Sequence, residues 1–190
     1  PTLSHQRGAF TLTASAELRL HDAHHTGEVK WSQYYPAGIE PDRRYYDYRV
    51  HKDTETGSLR LAWDAGARFT LSAGLQLTHE RYRLSDDRLK NVSLDQGYSF
   101  VLPRFGALVH LAKDADAYFN VARGGRAPNA RQIYDPQDYW SSPATDLAPE
   151  DVIDYEAGLS LRRGTWRARL NAFFMDFENE IVYAGAIDDN

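Results

Sequence analysis

Three short stretches hold the residues that could do chemistry. "YYPAGIEPDRRYYDYR" (34–49) sets five tyrosines beside Arg43, Arg44 and Arg49. Guanidinium forks bind carboxylates in pairs of hydrogen bonds, and aromatic faces attract flat or cationic groups. The combination suits an anionic, aromatic ligand such as a ferric chelate. It equally suits an interfacial girdle in which Arg tails reach past the rings to water. "ARQIYDPQDYW" (130–140) repeats the combination with Arg131, Tyr134, Tyr139 and Trp140. The ligand-binding candidates are therefore Arg43, Arg44, Tyr46, Arg131, Tyr134, Tyr139 and Trp140. "HDAHH" (21–25) carries His21, His24 and His25, and imidazole is the commonest protein metal ligand. No thiolate or methionine stands near, and the spacing matches no closed zinc pattern, so a solvated loop is the plainer reading and no metal is assigned.

Catalytic sets do not assemble. His79 and Glu80 are adjacent, so on a strand they point to opposite faces. Asp154 and Glu156 share a face, but at a spacing any polar strand face would show. No nucleophile with a His and an acid is found, and Gly124-Gly125 precedes no helix, so it is no phosphate cradle. The expectation is a protein that is not an enzyme and needs no cofactor.

The elements that must position these residues are strands. "FTLTASAELRL" puts Phe10, Leu12, Ala14, Ala16, Leu18 and Leu20 on one face and Thr11, Thr13, Ser15, Glu17 and Arg19 on the other. "ARFTLSAGLQLTHE", "VIDYEAGLSLR" and "WRARLNAFF" alternate in the same way. The period predicts strands near 10–20, 47–63, 67–82, 98–112, 117–123, 152–162 and 166–177, with no helix longer than two turns among them. Runs of ten residues exceed the usual five or six of globular strands and match the roughly 9–11 that cross a bilayer. Leu12, Leu18, Leu71, Leu75, Val109, Leu159 and Leu170 are then expected to face lipid.

Connection lengths sharpen this. "DAGA" (64–67), "KDAD" (113–116) and "RRGT" (162–165) are tight turns. Between them lie long segments at 21–46, 83–97, 124–151 and from 178 on. Strict alternation puts every tight turn on one rim and every long loop on the other, as in an up-and-down membrane barrel. Trp63, Phe119 and Trp166 near the turns, and Tyr82, Tyr98 and Phe177 near the loops, fit two aromatic girdles.

Composition bounds the rest. A net charge of −5 and a pI near 5.8 give no general support to a nucleic-acid partner. The absence of Cys removes disulfide scaffolds and thiolate metal sites. No run of about 18 apolar residues encodes a transmembrane helix. Neither end has a natural terminus' pattern, so residues 1–190 are expected to be a fragment of a longer chain.

Ordered motifs now carry a resemblance. "YFNVARGGRAPNARQIY" (118–134), "DLAPE" (146–150), "YEAGL" (155–159) and "RLNAFFMDFENEIVY" (169–183) resemble successive elements of TonB-dependent outer-membrane receptors. Upstream, "LPRFGALVHL" (102–111) and "LSAGLQLTHERY" (71–82) resemble the strands that precede them. Gly125, Leu102 and Gln76 depart from the usual aromatic, Ser and Arg of that pattern. The resemblance implies an all-β, antiparallel, up-and-down transmembrane β-barrel, of which this chain supplies about seven or eight strands without the plug domain or the C-terminal strands. It implies location in the bacterial outer membrane and contact with membrane lipid. It further implies active uptake of a scarce ligand, a ferric siderophore first, coupled to the TonB complex through the missing plug. The rival readings are a passive porin- or adhesin-like barrel and a soluble β-sandwich binding module.

Overall fold

The structure, a computed structural model, describes residues 1–34, 42–135 and 142–181. Eight strands form one antiparallel sheet in strict sequence order: β1 (Thr2–Arg7), β2 (Phe10–Glu28), β3 (Arg44–Ala65), β4 (Phe69–Ser85), β5 (Leu94–Ala112), β6 (Ala115–Arg126), β7 (Glu150–Arg163) and β8 (Trp166–Glu178). A single helical turn, α1 (Ala130–Ile133), interrupts the connection between β6 and β7. The turns joining β1–β2, β3–β4, β5–β6 and β7–β8 span two or three residues, and all lie on one rim. The segments between β2 and β3, β4 and β5, and β6 and β7 lie on the other.

The alternation sets the register. Phe10 pairs with Trp63, Trp63 with Leu71, Leu71 with Ala107, Ala107 with Phe119, and Phe119 with Ala157. Two residues up, Leu12, Leu61, Ala73, Phe105, Val121, Tyr155 and Phe174 form the next row. Partners in a row share a face, so these rows make a continuous apolar belt on one side of the sheet. Among the described residues no second sheet packs on it. Leu12, Leu18, Leu71, Leu75, Leu159 and Leu170 are each at least 40% exposed, and Val109 is half-buried. A sandwich would bury those leucines; a bilayer-facing sheet presents them. On β4 the belt runs from Phe69 to Leu77, a length within the roughly 9–11 residues a tilted strand needs to cross a membrane.

Most strands run well past the belt. β2 and β3 have 19 and 22 residues against the eleven and seventeen expected, and β1 carries no alternation that announced it. Beyond Leu77 the outward face turns polar: His79, Arg81 and Arg83 on β4 stand beside Glu55, Asp53 and His51 on β3. Ion pairs knit this extension, with Arg83 bound to Asp53 and Arg81 to Asp95, both at 2.5 Å. The long connections are correspondingly shorter than expected. The first, expected from 21, begins after Glu28, and the third, expected from Gly124, begins after Arg126.

Replacing Leu75 with Arg in the complete barrel is expected to cost roughly 2 kcal/mol, since a cation on the apolar face near mid-belt must leave water. Placing Arg at the neighbouring Gln76, on the polar face, is expected to leave stability nearly unchanged. Denaturant-dependent folding into lipid vesicles measures both.

Candidate ligand-binding site

The inward face of the sheet, opposite the belt, is polar at mid-height and aromatic toward the loop rim. Near the top of β2 and β3, His25 lies opposite Tyr48 with the two rings stacked, centroids 5.1 Å apart and 16° from parallel. One pair higher, Gly27 lies opposite Tyr46. A side chain at Gly27 would collide with the Tyr46 ring, so the glycine is what lets that ring lie against the strand. Tyr46 packs at a tilt on Tyr48, and Tyr45 meets Tyr46 edge to face. The product is an inward ledge of His25, Tyr48 and Tyr46.

The β6–β7 connection folds back over the inner wall at β4 and β5. Ile133 and Tyr134 are 1% and 2% exposed, and Pro128 is fully buried. Ile133 and Ala127 pack with Tyr82, Tyr98 and Phe100 on β4 and β5, flanked by Leu94 and Leu102. Burying an Ile side chain is worth about 2 kcal/mol, enough to hold a short segment down. Gly125 makes room: a Cβ there would stand 2.5 Å from the Phe100 ring. The Asn129 side chain accepts from the Gln132 amide while Gln132 accepts from the Asn129 amide, a reciprocal cap that sets the single turn of α1.

Two anchors fix the segment at its far end and at its base. The Tyr134 hydroxyl donates to Asp87 at 3.1 Å, and Asp87 also accepts from the Leu89 and Lys90 amides, so one carboxylate joins two loops. The Lys90 ammonium stands 5.3 Å from the centre of the Tyr134 ring. Burial, and then the Asp87 carboxylate, raise the Tyr134 pKa, so the phenol keeps its proton and remains a donor. At the base, Arg126 on β6 holds Glu150 on β7 through two bonds of 2.5 and 2.7 Å. Glu150 also accepts from the Ile181 amide at 2.6 Å. The "RAP" and "APE" motifs thus close the loop upon itself.

The expected site residues divide accordingly. Arg131, on α1, is exposed. Burial raises the Tyr48 pKa, Tyr46 adds to this, and Arg131 opposes it. Tyr46 belongs to the ledge, and Arg43 is exposed at the loop rim. Arg44 is committed to Asp47 at 2.5 Å and to Glu28 at 3.4 Å. Tyr134 is an anchor under the loop rather than part of an open surface. Tyr139 and Trp140 lie outside the described residues. His21, His24 and His25 sit on strand β2, not on a loop, and they split between faces: His25 stacks inward, while His24 points outward and binds the buried Asp47 at 2.7 Å. That bond, followed by the one from Arg44, holds the Asp47 carboxyl below the ordinary range. Among the described residues no three His, Asp and Glu side chains converge as a metal site. Tyr48 falls within the strand expected near 47–63, but with β2 expected to end near 20 nothing pairs it with His25; strand parity carried to Glu28 does.

Comparison with known proteins is consistent with this geometry. A family model described as TonB dependent receptor-like, beta-barrel, matches residues 2–190. No curated protein matches the sequence. Among solved structures, the unliganded ferric citrate transporter FecA superposes with a TM-score of 0.69 at 18% identity, covering 93% of this chain and 26% of that one. The ferric-catecholate import receptor Fiu from E. coli K12 gives 0.65 at 17%, covering 99% and 31%. The copper transporter OprC gives 0.66 at 17%, covering 92% and 28%. The chain thus spans between a quarter and a third of the length of these neighbours, and at such identities they speak for the fold.

The Arg126–Glu150 closure is expected to respond to acid. The bond from Arg126 holds the Glu150 pKa below its usual value, so the fastening is complete at neutral pH and is lost as pH falls through that lowered value. Protection of the Ile181 amide, its hydrogen exchange relative to the intrinsic rate at the same pH, should fall over that acid range in the wild type. In Glu150→Ala protection should be low at every pH.

Proposed function

The chain belongs to the TonB-dependent receptor-like β-barrel family, and we propose from that membership that it forms part of the wall of an outer-membrane uptake receptor for a scarce anionic ligand, a ferric siderophore first. Members of this family are outer-membrane receptors and transporters rather than enzymes. The observation that carries the reading is the inward ledge of stacked His25, Tyr48 and Tyr46, together with the exposed Arg131 on the segment that folds over the inner wall. Rings on one side and a cation on the other are what an anionic chelate with flat donor groups requires. The ledge rides on paired strands and the strap is pinned by Ile133, so the two halves are held before the ligand arrives, which lowers the ordering cost of binding. Arg43 adds positive charge at the rim, where it can speed encounter with an anion. Tyr139 and Trp140 would extend the strap's share of the contact.

Release into the lumen would need energy supplied from elsewhere, by a lumen domain pulled by the TonB complex. The wall's contribution is capture and guidance. The outward belt would meet lipid, and the polar extension would lift the mouth clear of it.

In the complete receptor, replacing Arg131 and Tyr48 together with Ala is expected to weaken ligand binding at least tenfold while the barrel still assembles. A charge-assisted bond shielded from water, worth roughly 1.5–3 kcal/mol, would alone supply that loss. The measurement is binding of a panel of ferric catecholate, hydroxamate and citrate chelates by fluorescence quenching. Equal affinity in wild type and variant across the panel would remove the ledge and Arg131 from the site.

A further inference from the structure

The turn joining β7 and β8 reads "LRRGTWRAR" (161–169), with four arginines in nine residues. Register separates them. Arg163 pairs with Trp166 in line with Leu161 and Ala168, on the outward face. Arg162 pairs with Arg167, and Arg169 with Ser160, on the inward face. Directly opposed like charges destabilise a strand pair unless something neutralises them. The carboxylate at hand is Asp116, 3.4 Å from Arg162, and it already binds His110 at 2.7 Å. Arg162 remains 58% exposed, and Arg167 and Arg169 are exposed as well. By register, three arginines therefore face one inner patch, where among the described residues Asp116 pairs with Arg162, in a chain whose net charge is −5.

The patch lies on the turn rim, at the end of the inner wall away from the ledge and Arg131. We propose that Arg162, Arg167 and Arg169 form a second anion site at the periplasmic exit of the lumen, taking the carboxylate or phosphate groups of a solute on its way out. Planar forks on adjacent strands present paired donors to such groups, which a lysine cluster would not do with the same geometry. An anion there removes the repulsion between Arg162 and Arg167, so the protein gains by holding it. The site is shallow and wet, so the hold is weak enough for release. A solute captured at the mouth would then meet positive charge at both ends of its path. The anion site rests on strand register alone; its role in transit rests on the uptake reading above.

The test titrates citrate, a soluble trianion, into the complete receptor in detergent by calorimetry. The wild type is expected to bind it. R167Q/R169Q is expected to bind it at least tenfold more weakly, and R163Q, on the same turn but facing outward, is expected to bind as wild type does. Should R167Q/R169Q fail to assemble, R169Q alone and a salt series on the wild type replace it: affinity should fall at least tenfold between about 50 and about 500 mM salt. Citrate binding that survives loss of the inward arginines, that falls equally in R163Q, or that ignores salt would overturn the proposal. So would absence of citrate binding in the wild type, which would mean that carboxylates of the protein itself occupy the patch. If R131A instead leaves chelate capture at the mouth intact, the uptake site is misplaced while the exit site stands.

Discussion

A strand in a sheet with one apolar face cannot slip by a single residue, because the slip would carry every leucine to the wet side and every charge to the dry one. The rest of this structure follows from that prohibition. Leu12, Leu61, Ala73, Phe105 and Val121 must share a row, and once they do, the partners of all other residues on those strands are set. The His25–Tyr48 stack and the Arg162–Arg167 opposition lie at opposite rims, and both are read from this one registration. Tight turns of two or three residues reinforce it by leaving the chain no slack in which to shift.

What was legible in the sequence is what the belt controls. Leu59, Leu61 and Trp63 on β3, or Phe69, Leu71, Ala73, Leu75 and Leu77 on β4, announce their face through contrast with the polar residues between them. Above the belt the contrast vanishes, since His79, Arg81 and Arg83 face water on one side while Tyr82 and Leu84 are buried on the other. The strand continues, but its pattern has changed sign, and an apolar stripe followed from below simply stops. β1 was missed for a related reason: in "TLSHQR" a single leucine marks the outward face.

The candidate site was legible in part, and the limit is again physical. Aromatic and Arg content picks out the two segments that carry Tyr46 and Arg131; Tyr46 packs into the inward ledge and Arg131 is exposed on α1. Burial of Tyr134 depends on Asp87, 47 residues away in sequence, and on the pocket formed by Tyr82, Tyr98 and Phe100. No local pattern encodes such an encounter. Gly125 is instructive in this respect. It departs from the family pattern by lacking a ring, and Phe100 from the neighbouring strand fills the space a ring there would have needed.

The bond between Tyr134 and Asp87 ties two loops that would otherwise be free to diverge separately. Loops tolerate sequence change more readily than the strands they connect. Here the histories of the two loops are joined: a lineage that alters Tyr134 takes from Asp87 its bond to the other loop, and one that alters Asp87 leaves the buried Tyr134 phenol without that acceptor. Inheritance should therefore keep the pair together and confine innovation to the part of the β6–β7 segment beyond it. The pinned part of the loop, from Ala127 to Tyr134, is thereby tied to a distant part of the chain, and a change in either is felt by both.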